Sequence, residues 1–215
     1  MKLLMLTLSL LCICGAAATF GREFGAAYLA RSPELSAFNA LAYQTGIPEI
    51  PLSSRSMRAL FATCGSVQQG VIYALQPPET RAAVDASCQR LAQRALVRNP
   101  TFSAAHTILM LSLRDRADIS AALILSQMTG PRESWNAKLR LRKGLALFGS
   151  GQDAVDGALV SDLALLAQSH SGRVWLANLY RQNATSHSAI VGAIDRRPND
   201  EKAAFLREVR RLAQN

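Results

Sequence analysis

Histidine is scarce: of 215 residues only His106, His170 and His187 are imidazoles, and none stands in an HExxH, beside a CxxC pair or near carboxylates at a ligand spacing. No metal is expected. No GxGxxG or GxxxxGK loop is present to cradle a phosphate, so nucleotide-dependent chemistry has no motif and no cofactor is assigned. Runs of β-branched residues between hairpin turns are also missing, and nearly every segment after the leader has helical rather than alternating periodicity, which predicts an all-α fold. Acidic residues are outnumbered, 15 against 24 Lys and Arg, leaving a net charge of +9 that comes mostly from arginine. Arginine is the better bidentate partner for phosphate, carboxylate or acidic sugar, although an Arg-rich solvated surface has the same composition.

What is present first is a leader, MKLLMLTLSLLCICGAAATFGREFG. From Leu3 to Phe20 it has 18 residues without a charge, which at about 1.5 Å per residue reach roughly 27 Å, close to a bilayer's hydrocarbon thickness. Lys2, the apolar residues 3–14 and the Ala16-Ala17-Ala18 triplet also satisfy the pattern of a secretory signal cut near Ala18. Retention is the reading adopted, because the apolar run continues past the cut and Arg22-Glu23 then gives it a polar stop. Lipidation is not expected, since bulky Leu11 and Ile13 precede Cys12 and Cys14. Both fates of the leader export the remainder, and nucleic acid is not an expected partner of an exported domain. The GREFG at 21–25 has the spacing of a helix-dimerisation face but carries two charges.

Helices follow one another. Met57, Leu60, Phe61, Cys64, Val67, Val71 and Leu75 recur at the 3, 4 and 7 spacings of one face, predicting a helix over 55–75. Gln76-Pro77-Pro78 ends it and starts a second helix with Val84, Cys88, Leu91 and Ala95 on its apolar stripe. Cys64 lies 13 residues before Pro77 and Cys88 lies 11 after it, so an antiparallel hairpin brings the two thiols to one height. A disulfide is expected there in an oxidising compartment, the alternative being two buried thiols. Further helices are expected over 101–114, 117–128, 132–148, 153–169, 172–181, 186–196 and 200–213, with Pro100 and Pro131 each at a helix start and Glu133 in a first turn. The organisation expected is an anchor or signal over 1–21, a connecting segment with one or two short helices over 22–54, helical hairpin repeats over 55–170 and capping helices over 171–215.

Pro33, Pro100, Pro131 and Pro198 are 67, 31 and 67 residues apart, and a period of about 34 is that of a tetratricopeptide helical hairpin. The stretch ALVRNP followed by AAHTILMLSLRDRADISAALILSQM resembles a degenerate tetratricopeptide repeat, with Ala105, Leu109, Asp118 and Ala122 in the family's order but its aromatic positions unfilled. The resemblance extends over about 32–169 and implies antiparallel hairpins stacked as a short solenoid. The whole arrangement, with its N-terminal span, YLARSPELSA segment and GPRExW turn, is similar to small membrane-anchored envelope proteins associated with bacterial exopolysaccharide or O-antigen production. That resemblance implies a helper of polysaccharide synthesis or export that holds partners together, with no catalytic residue to carry over.

The richest charged stretch is RESWNAKLRLRK, where Arg132, Lys138, Arg140, Arg142 and Lys143 surround Trp135. These form a candidate anion or partner surface for an acidic glycan or a lipid headgroup, with Trp135 as a stacking face. In the competing reading Trp135, Leu141, Leu145 and Phe148 are core and the cations are solvated. His106, among apolar neighbours, reads as packed, the SHSG at 169–172 as a helix end, and the NAT at 183–185 as a chance glycosylation acceptor. The function expected is a non-enzymatic adaptor, anchored in the cytoplasmic membrane with its helical domain in the periplasm, that binds another envelope protein. Two alternatives stay open: a small exported enzyme with a cleft around His170, Asp162 or Glu133, and a basic module binding acidic polysaccharide through Arg140 and Arg142.

Overall fold

A computed structural model describes residues 2–214, apart from the side chains at 2–4, 6, 8 and 185; the positive start at Lys2 and the Thr185 that completes the NAT at 183–185 lie outside the described side chains. Among the described residues the chain is helical throughout, without strands: α1 (Lys2–Arg31), α2 (Glu34–Ala42), α3 (Ser54–Gln68), α4 (Val71–Ala74), α5 (Pro78–Arg98), α6 (Ser103–Ser112), α7 (Arg116–Thr129), α8 (Ser134–Gly144), α9 (Asp153–Ala167), α10 (His170–Gln182), α11 (His187–Asp195) and α12 (Asn199–Ala213). Short 3₁₀ turns at Leu145–Leu147 and Ala184–Ser186 complete it. The chain divides into two compact units between Pro100 and Thr101.

In the first unit α1 does not stop at Arg22-Glu23. Residues 22–31, expected in a connecting segment, continue the helix because both charges find partners without breaking it. Arg22 pairs with Glu49 at 2.6 Å, and the Glu23 carboxylate accepts from the backbone N–H groups of Leu52 and Ser53 and from the Ser53 hydroxyl, each at 2.7 Å. Ser53 in turn caps α3 by accepting from the Ser56 N–H. Ala26 and Leu29 are buried where α1 packs on α3.

The helix expected over 55–75 ends at Gln68, and Val71 and Leu75, placed on its apolar stripe by their spacing, are exposed at 73% and 78%. Gly70 follows its end, with the Glu34 side chain packed where a Cβ would stand, 2.0 Å from its carboxylate oxygen. The turn α4 is held instead to α5, with the Tyr73 hydroxyl donating to the Asp85 carboxylate at 2.9 Å and the Gln68 amide reaching the same group at 3.0 Å. The α3–α5 hairpin forms as expected, with Pro78 at the first position of α5, and Cys64 and Cys88 are joined in a disulfide with Cα atoms 5.9 Å apart. Both cysteines are fully buried among Leu60, Phe61, Val84 and Leu91.

In the second unit α6 packs antiparallel-hairpin fashion with α7, and α8 with α9, before α10, α11 and α12 follow. Two of the proline assignments change. Pro100 lies in the turn before α6, which starts at Ser103, and Pro131 lies in the turn before α8, where Glu133 stands at the N-cap rather than inside the first turn. Pro33 and Pro198 do immediately precede α2 and α12, so the four prolines do not occupy equivalent places. Helix α7 begins with its own cap, the Asp115 carboxylate accepting from the N–H groups of Ala117 and Asp118. Helix α8 tightens into a 3₁₀ turn after Gly144, where a Cβ would sit 2.5 Å from Leu123 and 2.8 Å from Leu159.

Candidate functional site

The basic segment falls on α8, where the structure separates its cations. Buried Ala137, Leu141 and Gly144 define the inward stripe of that helix, and Arg140 lies on it, fully buried. Its guanidinium makes a bidentate pair with Asp162 of α9, Nε and Nη2 each 2.7 Å from a carboxylate oxygen; Nη1 donates to Ser126 Oγ at 3.0 Å and to the Ser126 carbonyl, and Nη2 also to the Gly130 carbonyl. Arg140 therefore leaves the candidate surface: its donors are spent inside the protein. Lys143 is also turned inward, its ammonium donating at 3.3 Å to the carbonyls of Leu111 and Leu113 near the end of α6.

Around Arg140 a chain of hydroxyls and amides is closed by short contacts. Thr107 and Ser126 share a hydrogen bond of 2.6 Å, Ser103 donates to the Ser126 carbonyl at 2.9 Å, and the Asn136 amide donates to Ser103 at 3.0 Å and to Glu133. All five are buried except Glu133, which is half-buried. Burial pushes the Asp162 carboxyl above its ordinary range, against the pull of the Arg140 guanidinium. The network ties α6, α7, α8 and α9 together; motif reading missed it, although both charges sit on the apolar stripes of their own helices, Asp162 between Leu159 and Leu166.

Arg132, Lys138 and Arg142 remain at the surface. Arg132 is exposed and lines a shallow hollow with Ser161, Leu165 and Gln168, Lys138 is half-buried, and Arg142 is exposed with its guanidinium 5.8 Å from the ring centre of Trp175. Trp135 is half-buried and its indole Nε1 is enclosed without a hydrogen-bond partner. Leu141 and Leu145 are core.

Of the residues named for an enzymatic cleft, Glu133 and Asp162 belong to the one buried network around Arg140, and His170 lies outside it. Asp162 is held by Arg140, Glu133 by Asn136, and His170, exposed on α10, lies 3.4 Å from Glu208 of α12. His106 is packed in α6, and His187 stacks on Tyr180 with ring centres 4.0 Å apart. Among the described residues no three His, Cys, Asp or Glu side chains are grouped to hold a metal.

One feature of the first unit bears on location. Within α1 the segment Ser9–Arg31 is long and apolar enough to cross a membrane, and its apolar window of 18 residues is almost wholly exposed; the same properties suit a signal sequence. Phe20, Phe24 and Tyr28 form an exposed ladder along it, neighbouring rings stacked at 5.7 and 6.3 Å. No known protein family, curated protein or solved structure matches the chain.

Proposed function

We propose that the protein is a non-enzymatic adaptor of a bacterial cell envelope, held in the cytoplasmic membrane by α1 with its helical hairpins in the periplasm, where they bind another envelope protein and assist polysaccharide synthesis or export. The observation that carries the reading is the continuity of α1, whose first part is apolar and exposed while Ala26 and Leu29, further along, belong to the core of a folded unit. The buried Cys64–Cys88 disulfide agrees with an oxidising compartment. The antiparallel hairpins α6–α7 and α8–α9 support the reading of a tetratricopeptide-like stack, a class of fold that binds partners along a groove or edge.

The loss of Arg140 to the core narrows the surface for an acidic partner to Arg132, Lys138, Arg142 and their neighbours. The test is crosslinked affinity capture of the tagged protein from intact cells, with mass spectrometry of what is retained, against an unrelated protein carrying the same leader. Reproducible enrichment of one envelope assembly is expected. An empty capture from a folded, abundant protein would overturn the adaptor and favour the enzyme or glycan-binding alternatives.

A further inference from the structure

Beside the end of the apolar run the first unit carries a cleft of about 520 Å³ that no motif marks, lined by Arg22 of α1, Glu49 and Ile50 of the loop before α3, and Arg94, Val97 and Arg98 of α5. Three arginines and one glutamate line it, so positive charge is in excess. Two of the three are held in place, Arg22 by Glu49 at 2.6 Å and Arg98 by donating to the Ile50 carbonyl at 3.2 Å. Arg94 stands one helical turn before Arg98, exposed to solvent. A guanidinium presents a planar fork of donors that fits a phosphate in bidentate fashion, and three of them around one opening suit a single phosphate better than a lone charge would.

The place of the cleft along α1 selects the kind of phosphate. Arg22 is the first charged residue after Lys2, and an adjoining hollow is lined by Ala17, Ala18, Gly21, Arg22 and Glu49, so the loop carrying Glu49 reaches back to the last turns of the apolar run. With α1 across a bilayer, these groups stand at headgroup depth. Phe20 and Phe24, large apolar rings, are exposed on either side of Arg22 in the chain. Val97, at the cleft, is 85% exposed, an apolar group offered outwards next to the arginines.

We propose that this cleft binds the phosphate of an anionic phospholipid headgroup, with Arg94 and Arg98 as its principal donors and Arg22 completing the opening. The proposal rests on the membrane-held reading of α1. A bound lipid would fix the first unit against the bilayer surface on the side where α5 and α1 converge. An arginine near an anionic surface contributes roughly a fivefold preference, so the effect of removing one is measurable.

The test uses the full-length protein in detergent, equilibrated with equal amounts of dioleoyl phosphatidylglycerol and dioleoyl phosphatidylcholine, with native mass spectrometry reading the lipid retained. Preferential retention of phosphatidylglycerol is expected, falling about fivefold in Arg94→Gln and about 25-fold in Arg94→Gln/Arg98→Gln, and unchanged in Arg207→Gln on α12. Equal retention of the two lipids, or a preference that the double variant keeps, overturns the proposal. Displacement of phosphatidylglycerol by low-millimolar inorganic phosphate overturns the lipid source and assigns the cleft to free phosphate. Circular dichroism and blocked thiols in each variant exclude misfolding as the cause of a loss. Failure of the membrane reading has a different signature: protein from cells then begins at Thr19 and leaves carbonate-washed membranes whatever its lipid preference.

Discussion

Arg140 can leave water only because Asp162 meets it with both oxygens and Ser126 and Gly130 take its other donors. Removing one partner leaves the other charge buried alone, so Arg140→Met is expected to lower stability by about 3–5 kcal/mol at neutral pH in urea unfolding, and Arg140→Met/Asp162→Leu to recover most of that loss. The single variant also has a pH signature. Burial raises the Asp162 carboxyl and Arg140 opposes the rise; without the guanidinium the folded protein holds that proton still more tightly than the unfolded chain. Stability then falls as pH rises above the unfolded carboxyl's range near 4, and the deficit shrinks on acidification. An unfolding midpoint of Arg140→Met that does not improve towards pH 4 relative to wild type would contradict this. At about 100° per residue the cations of this segment spread around much of the helix, and Arg140 and Arg142, two residues apart, stand about 200° apart around its axis, so the sequence already implied that some flank rather than share one patch. Buried Ala137, Leu141 and Gly144 put Arg140 rather than Arg142 on the inward stripe, and Asp162 of α9 meets it there.

Elements were readable where their signals are local. The hairpin pairing of Cys64 with Cys88 follows from their distances to Pro77, and the disulfide makes it testable: both thiols are expected to be blocked under non-reducing denaturation, and Cys64→Ser/Cys88→Ser to lose about 3 kcal/mol. Full labelling of both thiols in protein isolated from the envelope would remove the bridge. Helix ends were less readable: the 3, 4 and 7 spacing carries on through Val71 and Leu75 although α3 ends at Gln68. Two glycines separate the local from the tertiary effect. Gly172, near the start of α10, sits so close to the preceding helix that a Cβ would lie 2.0 Å from the Leu166 carbonyl oxygen, and backbone cannot yield as a side chain does. Gly172→Ala is expected to destabilise by about 1–3 kcal/mol. Gly157, exposed inside α9 with nothing within 4 Å, is expected to gain about 0.5–1 kcal/mol on the same change. Thermal melts that rank the two variants in the opposite order would refute the packing at the α9–α10 junction.

At the scale of the whole molecule the leader matters most, because one helix serves two environments. A continuous helix of 30 residues is about 45 Å long, more than a bilayer's hydrocarbon thickness, and the surplus is the part that packs on α3 through Ala26 and Leu29. If the helix is retained, the folded unit joins its anchor without a flexible linker, and the two ends of α1 respond differently to substitution. Ala26→Asp places a carboxylate in a fully buried position and is expected to loosen the first unit, read as earlier thermal unfolding and faster proteolysis near α3. It leaves the apolar run intact, so the variant still remains in carbonate-washed membranes with an intact mass that includes residues 1–18. Ile13→Arg with Leu10→Arg acts at the other end, where both side chains are exposed: it abolishes membrane retention but leaves the melt of correctly oxidised protein unchanged. Wild-type protein released by carbonate, with a mass beginning at Thr19, would instead show that the apolar run is a cleaved signal. The helix from Thr19 to Arg31 would then survive as the first element of a released periplasmic domain, since among its described residues those that are buried, Ala26 and Leu29, lie beyond the cut.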